Sequence, residues 1–461
     1  MTRYATPIAF LLTLIACGSR ECALTDPASC AAPLVCEAVQ GKTTGACYPP
    51  VTLKGKVFDL STASAISGAE VIATDEGGAP AAALTKTGTD GTFSLRVPST
   101  RSDDKGTFVA RRVLLRSQAK NYVPFPSGVR VALPIDTSAA THAKDTDPYL
   151  LESTATSIGL APVAAAAQNL PSVSGTVEVA AGGDSVLLAL ENATLGRTTL
   201  SSTDGSFVFF NVPAGDYVIS AFRKNQNYTP VTVSVASADL SGVSLKKATT
   251  ATATLSGSVQ LVAGANGAGT SVVLGLASTY LEALGRADTV PGLRAPEAGT
   301  APTVTGSWSI TGIPDGKYVV LAAFENDGNI RDPDPGISGT QLQRITVAGG
   351  AITQGSTSPS FKVTGAVDLV SPGKEGVEEV SATPTFTWGS YSNADGYQLK
   401  VFDTLGEQLW SKDIADKGTV STVYAGPALK AGYTYQWRLT AFRRLAPTSA
   451  TEELRGLFVV K

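Results

Sequence analysis

Three stretches of this chain repeat one phrase, and the phrase encodes a turn leading into a strand. Thr89, Asp90, Gly91, Thr92 and Phe93 open an alternating run that reaches Val97 and Pro98. Thr203, Asp204, Gly205, Ser206 and Phe207 do the same up to Val212 and Pro213, and Val304, Thr305, Gly306, Ser307 and Trp308 up to Ile313 and Pro314. Asp-Gly supplies the positive-φ positions of a tight turn, and alternation then points every second side chain at one sheet face. Phe93, Phe207 and Trp308 hold equivalent places, so they read as core anchors. The second and third copies continue into Pro213, Gly215 and Tyr217, and into Pro314, Gly316 and Tyr318. There proline presets a turn, glycine completes it and tyrosine opens the next strand. Upstream, a strand opening recurs at Gly55 and Val57, Gly175 and Val177, Gly257 and Val259, and Gly365 and Val367. The glycines stand 120, 82 and 108 residues apart, which describes an array of variable domains and not a solenoid of fixed period. Helical periodicity is nearly absent, and only 278–288 reads as a short helix. The expected fold class is all-β, as tandem β-sandwiches.

At about 150 residues per domain, 461 residues suggest three or four domains. Lysine and arginine number 36 against 39 acidic residues, for a net charge of −3. No global field then gathers nucleic acid, and no nucleic-acid partner is expected. His142 is the single histidine, Met1 the single methionine, and all five cysteines precede residue 48. Histidine-pair metal sites and cysteine nucleophiles are thereby excluded from the body of the chain, and no cofactor is expected. No G-x-S-x-G elbow is present, and a serine hydrolase would have to recruit His142 from a polar loop. The glycines at 264, 267 and 269 lack the lysine of a phosphate loop and read as a hairpin.

The first fifty residues carry the information on compartment. Arg3 precedes an apolar run over 5–16, too short to span a bilayer as a helix, which ends at Leu14, Ile15, Ala16 and Cys17. This resembles the bacterial lipoprotein lipobox, although Ile15 is an unusual occupant and one arginine makes a thin n-region. The resemblance implies cleavage of 1–16 and lipidation of Cys17. Multiple acyl chains would then anchor the protein stably to a membrane. Gly18, in place of a retention aspartate, implies the outer membrane of the cell envelope. Cys22, Cys30, Cys36 and Cys47 then remain, an even set with three possible disulfide pairings. A zinc site is the weaker reading, since no C-x2-C pair or neighbouring histidine is present.

The repeated phrases resemble the carboxypeptidase regulatory-like domain, a transthyretin-like seven-stranded sandwich. The first copy matches by its front half, including Ile66, Gly68 and Val71, and departs after Pro98. The second keeps the back half, and the third carries Thr305 for aspartate and an insertion around 276–303. Farther on, Trp388, Tyr397, Leu429, Gly432, Tyr435 and Trp437 resemble a fibronectin type III domain. The resemblance makes Trp388 the strand-B core tryptophan and Leu429, Gly432 and Tyr435 a tyrosine corner. Residues 365–369 either close the third domain or begin the fourth. The expected organisation is a signal peptide over 1–16 and a lipidated Cys-rich tether over 17–50. Sandwiches then span 51–160, 171–248, 253–363 and 364–461. Residues 153–171 and 249–254, low in charge, read as flexible or semi-extended joints.

Two local features compete with purely structural readings. Asp327, Asn329, Asp332 and Asp334 cluster hard oxygens of the kind that chelate Ca²⁺, although Arg331 among them and the proline steps favour a plain turn. Trp410 has no evident core role and is the candidate aromatic for a glycan. The metallocarboxypeptidases that often carry regulatory-like domains use an H-x-x-E zinc site, which has no counterpart here. The functional expectation is a non-catalytic, membrane-anchored envelope lipoprotein. It would act as a structural spacer or as an adhesion module, with a protein or glycan partner of the cell surface. The alternative is a carbohydrate-binding surface protein.

Overall fold

The computed structural model describes residues 21–24, 29–75, 81–97, 99–103, 106–109, 112–144, 147–179, 186–262, 270–296, 304–322, 329–331 and 342–461. The chain is all-β and forms tandem β-sandwiches, with helical turns confined to short 3-10 segments among the described residues. Among those residues no helix is long and apolar enough to cross a membrane. Contacts divide the chain into two compact units, one of 1–52, 96–111 and 136–151, the other of 53–95, 112–135 and 152–461.

The smaller unit is built on a four-stranded sheet in the order Glu21–Cys22, Gly45–Tyr48, Val35–Val39, Thr100–Arg101. Its apolar cluster is only Val39, Ala46 and Tyr48, too little to hold fifty residues alone. Disulfides Cys22–Cys36 and Cys30–Cys47 supply what the core lacks. The unit also draws in 96–111 and 136–151, which the sequence reading had placed in the first sandwich. Arg101, from the stretch where the first repeat departs from its pattern, is wholly buried, its guanidinium 3.8 Å from the Phe108 ring centroid and 4.8 Å from that of Tyr48.

The larger unit repeats one sheet topology. In the second sandwich Val173–Val177 lies between Ser206–Phe209, antiparallel, and Leu240–Leu245, parallel. Facing it is the sheet Gly196–Leu200, Leu187–Glu191, Gly215–Phe222, Val231–Val235. In the third, Ala253–Leu261 lies between Ser307–Ile313, antiparallel, and Ser360–Gly365, parallel. In the first, Val51–Asp59 pairs with Thr92–Val97 and runs parallel to Ser157–Leu160. The last sandwich pairs Leu369–Ser371, Thr385–Trp388 and Ser421–Val423 in one sheet, and its other sheet pairs Glu378–Val380 parallel with Leu457–Val460. Gly365 pairs with Asn329 and so ends the third sandwich, whereas Val367 and Leu369 belong to the fourth core. The open boundary therefore falls at 365–367.

Three sequence expectations are corrected. Residues 157–160, where the joint expected over 153–171 overlaps the sandwich expected over 51–160, form the parallel closing strand of that sandwich, so the joint begins after them. In the second joint, Lys247–Thr250 pairs with Gln226–Tyr228. The helix expected at 278–288 is two 3-10 turns, Ala277–Thr279 and Glu282–Leu284, ended by Gly285 at φ +64°. Local propensity there yields to tertiary bonding. Asp288 accepts from Thr198 and Arg286 donates to the Gly128 and Glu453 carbonyls.

Candidate functional sites

The repeated positions prove to be fasteners. In all three copies the valine of the opening phrase donates its N–H to the carbonyl of the turn glycine: Val57 to Gly91 at 2.8 Å, Val177 to Gly205 at 2.9 Å, Val259 to Gly306 at 2.8 Å. The two phrases are thus halves of one junction. Asp90 and Asp204 each accept from the N–H and hydroxyl two residues on, Thr92 and Ser206. Those bonds to the ionised form hold both carboxyls below the usual aspartate range. Gly91 and Gly205 sit at φ +75° and +84°, where a side chain is strained. A Cβ on the opening glycines would overlap the closing strand: at Gly175 the Val243 carbonyl, at Gly257 the Pro359 carbonyl and the Trp308 ring. Phe207 and Trp308 lie directly across the ladder from those glycines and cover them. The tyrosine of each P-x-G-x-Y phrase donates its hydroxyl to that phrase's own proline carbonyl, Tyr217 to Pro213 at 2.9 Å and Tyr318 to Pro314 at 2.8 Å.

In the fourth sandwich Trp388 is buried, and the Tyr435 hydroxyl accepts from the Lys430 N–H at 2.8 Å. That is the tyrosine-corner bond the fibronectin type III resemblance implies. Trp410, the candidate aromatic, is packed in part on the core. It is half-buried on Gln408–Ile414, stacked 6.4 Å from Phe386 and edge-on 5.2 Å from Tyr424, so its ring is packed on the core and not free-standing. The His142 ring lies tilted 4.1 Å from that of Tyr149, and its Nδ1 bonds the Lys144 carbonyl at 2.7 Å. Cys17, Asp327, Asp332, Asp334 and the glycines at 264, 267 and 269 lie outside the described residues. Asn329 falls on Asn329–Arg331, where the backbone alone is described.

Sequence reasoning missed the buried charges of the smaller unit. Glu37 is 1% exposed, accepts from the Ser99 N–H and has Arg96 at 3.9 Å. Its other oxygen has no hydrogen-bond partner, and burial pushes its carboxyl above the usual range. Its place between Cys36 and Ala38, on the inward phase of a short strand, was the available signal.

A small cleft of about 40 Å³ lies between the first two sandwiches, near Glu70, Arg116, Ser117, Gln118, Phe125 and Thr199. Its polar groups largely engage one another. Gln118 donates to Glu70 at 2.8 Å and to Thr199 at 2.9 Å, while Arg116 pairs with Asp288 at 3.8 Å.

The family model of the ER membrane protein complex subunit 7 β-sandwich domain matches residues 176–265. No curated protein matches the chain. Among solved structures, the Bacillus anthracis TIE protein is 10% identical, with 86% of this chain and 68% of that one covered at a TM-score of 0.16. A streptococcal ancillary pilin is 11% identical over 68% of this chain and 99% of its own, at 0.17. Two B repeats of the Staphylococcus aureus collagen-binding protein are 9% identical over 89% and 99%, at 0.19. At these TM-scores the superpositions are poor, and the sandwich assignment rests on the sheets themselves.

Proposed function

We propose that this chain is a non-catalytic envelope lipoprotein, held on the outer membrane through lipid on Cys17, that serves as a structural spacer carrying an interaction surface away from the bilayer. The observation that supports the spacer reading is the parallel pairing of an early strand with the closing strand in every sandwich. Val57 pairs with Ile158, Gly175 with Val243, Val259 with Phe361 and Glu379 with Val459. In the first three sandwiches the chain enters along one member of the pair and leaves along the other; in the fourth, Leu369–Ser371 precedes the paired strand Glu378–Val380. A pull between its ends therefore loads all the ladder hydrogen bonds at once in shear, instead of peeling them one by one. The side chains that the repeated phrases share are spent on closing those ladders, which favours a mechanical role over chemistry. The anchor is tested by intact mass and membrane partition of the full chain from a bacterial host, wild type against Cys17→Ala. The expected result is a triacylated chain beginning at Cys17 in the membrane fraction, lost in the variant. A soluble, unlipidated product cleaved elsewhere overturns the anchor.

A further inference from the structure

The smaller unit brings three cysteine sulfurs together, with a fourth bonded to one of them. Glu21–Cys22 and Val35–Val39 flank Gly45–Tyr48, with Cys22 opposite Gly45 and Cys36 opposite Cys47. Gly45 makes the room, since a Cβ there would lie 2.6 Å from Cys36 Sγ. The result is two disulfides in contact: the Sγ atoms of Cys22, Cys30 and Cys47 all lie within 4.8 Å of one another. Cys22 and Cys30 are buried.

We propose that this cluster is also a metal site, which in the reduced chain binds one soft divalent ion of the zinc class through the thiolates of Cys22, Cys30, Cys36 and Cys47. Tetrahedral thiolate coordination at about 2.3 Å sets the sulfurs roughly 3.8 Å apart. The Sγ atoms of Cys22, Cys30 and Cys47 already lie within 4.8 Å of one another, and Cys36 adjoins them through its bond to Cys22. Side-chain rotation about a sheet that already fixes three of the four backbones covers the difference. Two equivalents of a dithiol reductant supply four electrons and four protons, giving four cysteine thiols and two molecules of oxidised dithiol. Metal binding then displaces the thiol protons, and soft sulfur donors favour zinc-class ions over the hard cations. The same strands are thereby tied covalently in oxidising surroundings and through a metal in reducing ones. No part of this depends on the anchor or the spacer role.

The test uses the full chain in a Cys17→Ser background, reduced with excess dithiol and then freed of it under argon, with Co²⁺ as the spectroscopic probe. The proposal expects the visible bands of tetrahedral thiolate-bound cobalt, saturating at one equivalent and bleached by Zn²⁺. It also expects the metal to restore to 21–50 the protease resistance that reduction removes. The oxidised chain and the Cys30→Ser, Cys47→Ser variant should show neither effect. Absence of the bands in the reduced chain overturns the proposal. So does binding that saturates but restores no protease resistance, because unfolded thiols would bind in that way.

Discussion

Tyr318 and Gly257 act in opposite ways at the same junctions, one by a bond it makes and the other by an atom it lacks. Tyr318→Phe removes a buried hydroxyl bond to Pro314 and should cost about 0.5–1.5 kcal/mol in urea denaturation, with Tyr217→Phe similar. Gly257→Ala drives a methyl into the Pro359 carbonyl and the buried Trp308 ring, and should cost about 1–3 kcal/mol or more. If the tyrosine change proved the costlier of the two, the close-approach reading of the opening phrase would be wrong. Asp90 and Asp204 give the acid response its sign. Their folded-state pKa values are lowered, so the stability they contribute is present above the ordinary aspartate value and lost as pH falls through the folded one. Asp90→Asn with Asp204→Asn should flatten the acid limb of the melting temperature against pH, and an unchanged limb would show that these bonds carry no net stability.

Strands, unlike single residues, show how far the sequence could be read. Openings and turns were legible because the same residues make the same bond in each copy, Val57 to Gly91, Val177 to Gly205 and Val259 to Gly306. The fibronectin-like corner was legible by resemblance, and the Lys430 N–H to Tyr435 hydroxyl bond is the one that resemblance implies. Ser157–Leu160 was legible only as the end of the first sandwich's span, because its partner lies about a hundred residues upstream and the alternation of Ile158 and Leu160 is too short to mark a strand by itself. The recruitment of Thr100–Arg101 to the cystine sheet was equally hidden, and so was Trp410, whose packing depends on Phe386 and Tyr424 from other strands. Two predictions belong here. Loss of Cys30–Cys47, which closes a separation of 17 residues, should cost the smaller unit about 3 kcal/mol, read as earlier proteolysis of 21–50 on a denaturant series. Glu37 has a raised pKa, so its contribution is largest below the unfolded value and declines as pH rises through the folded one. Arg96 and Arg101 temper that decline without reversing it. Glu37→Gln should level the same proteolysis assay as pH rises above the ordinary glutamate value, and a decline that persists in the variant would place its origin elsewhere.

On the scale of the larger unit, the sandwiches are fastened to one another instead of being strung on loose joints. Asn211 accepts from the Asn121 N–H at 2.6 Å, the Asn225 N–H donates to Gly312 at 2.7 Å, and Phe222 lies 6.1 Å from Tyr318 within one continuous apolar cluster. Such fastening suits a spacer, which must keep its length under load, and it adds to the shear geometry within each sandwich. The most direct measurement is single-molecule pulling on the full chain, held by a handle at each end with the disulfides intact. The account predicts a distinct force peak for each sandwich, and selective loss of one peak's force on Phe361→Pro, which removes a rung of the parallel ladder in the third. Unfolding of every sandwich at low force, with Phe361→Pro indistinguishable from wild type, would contradict it.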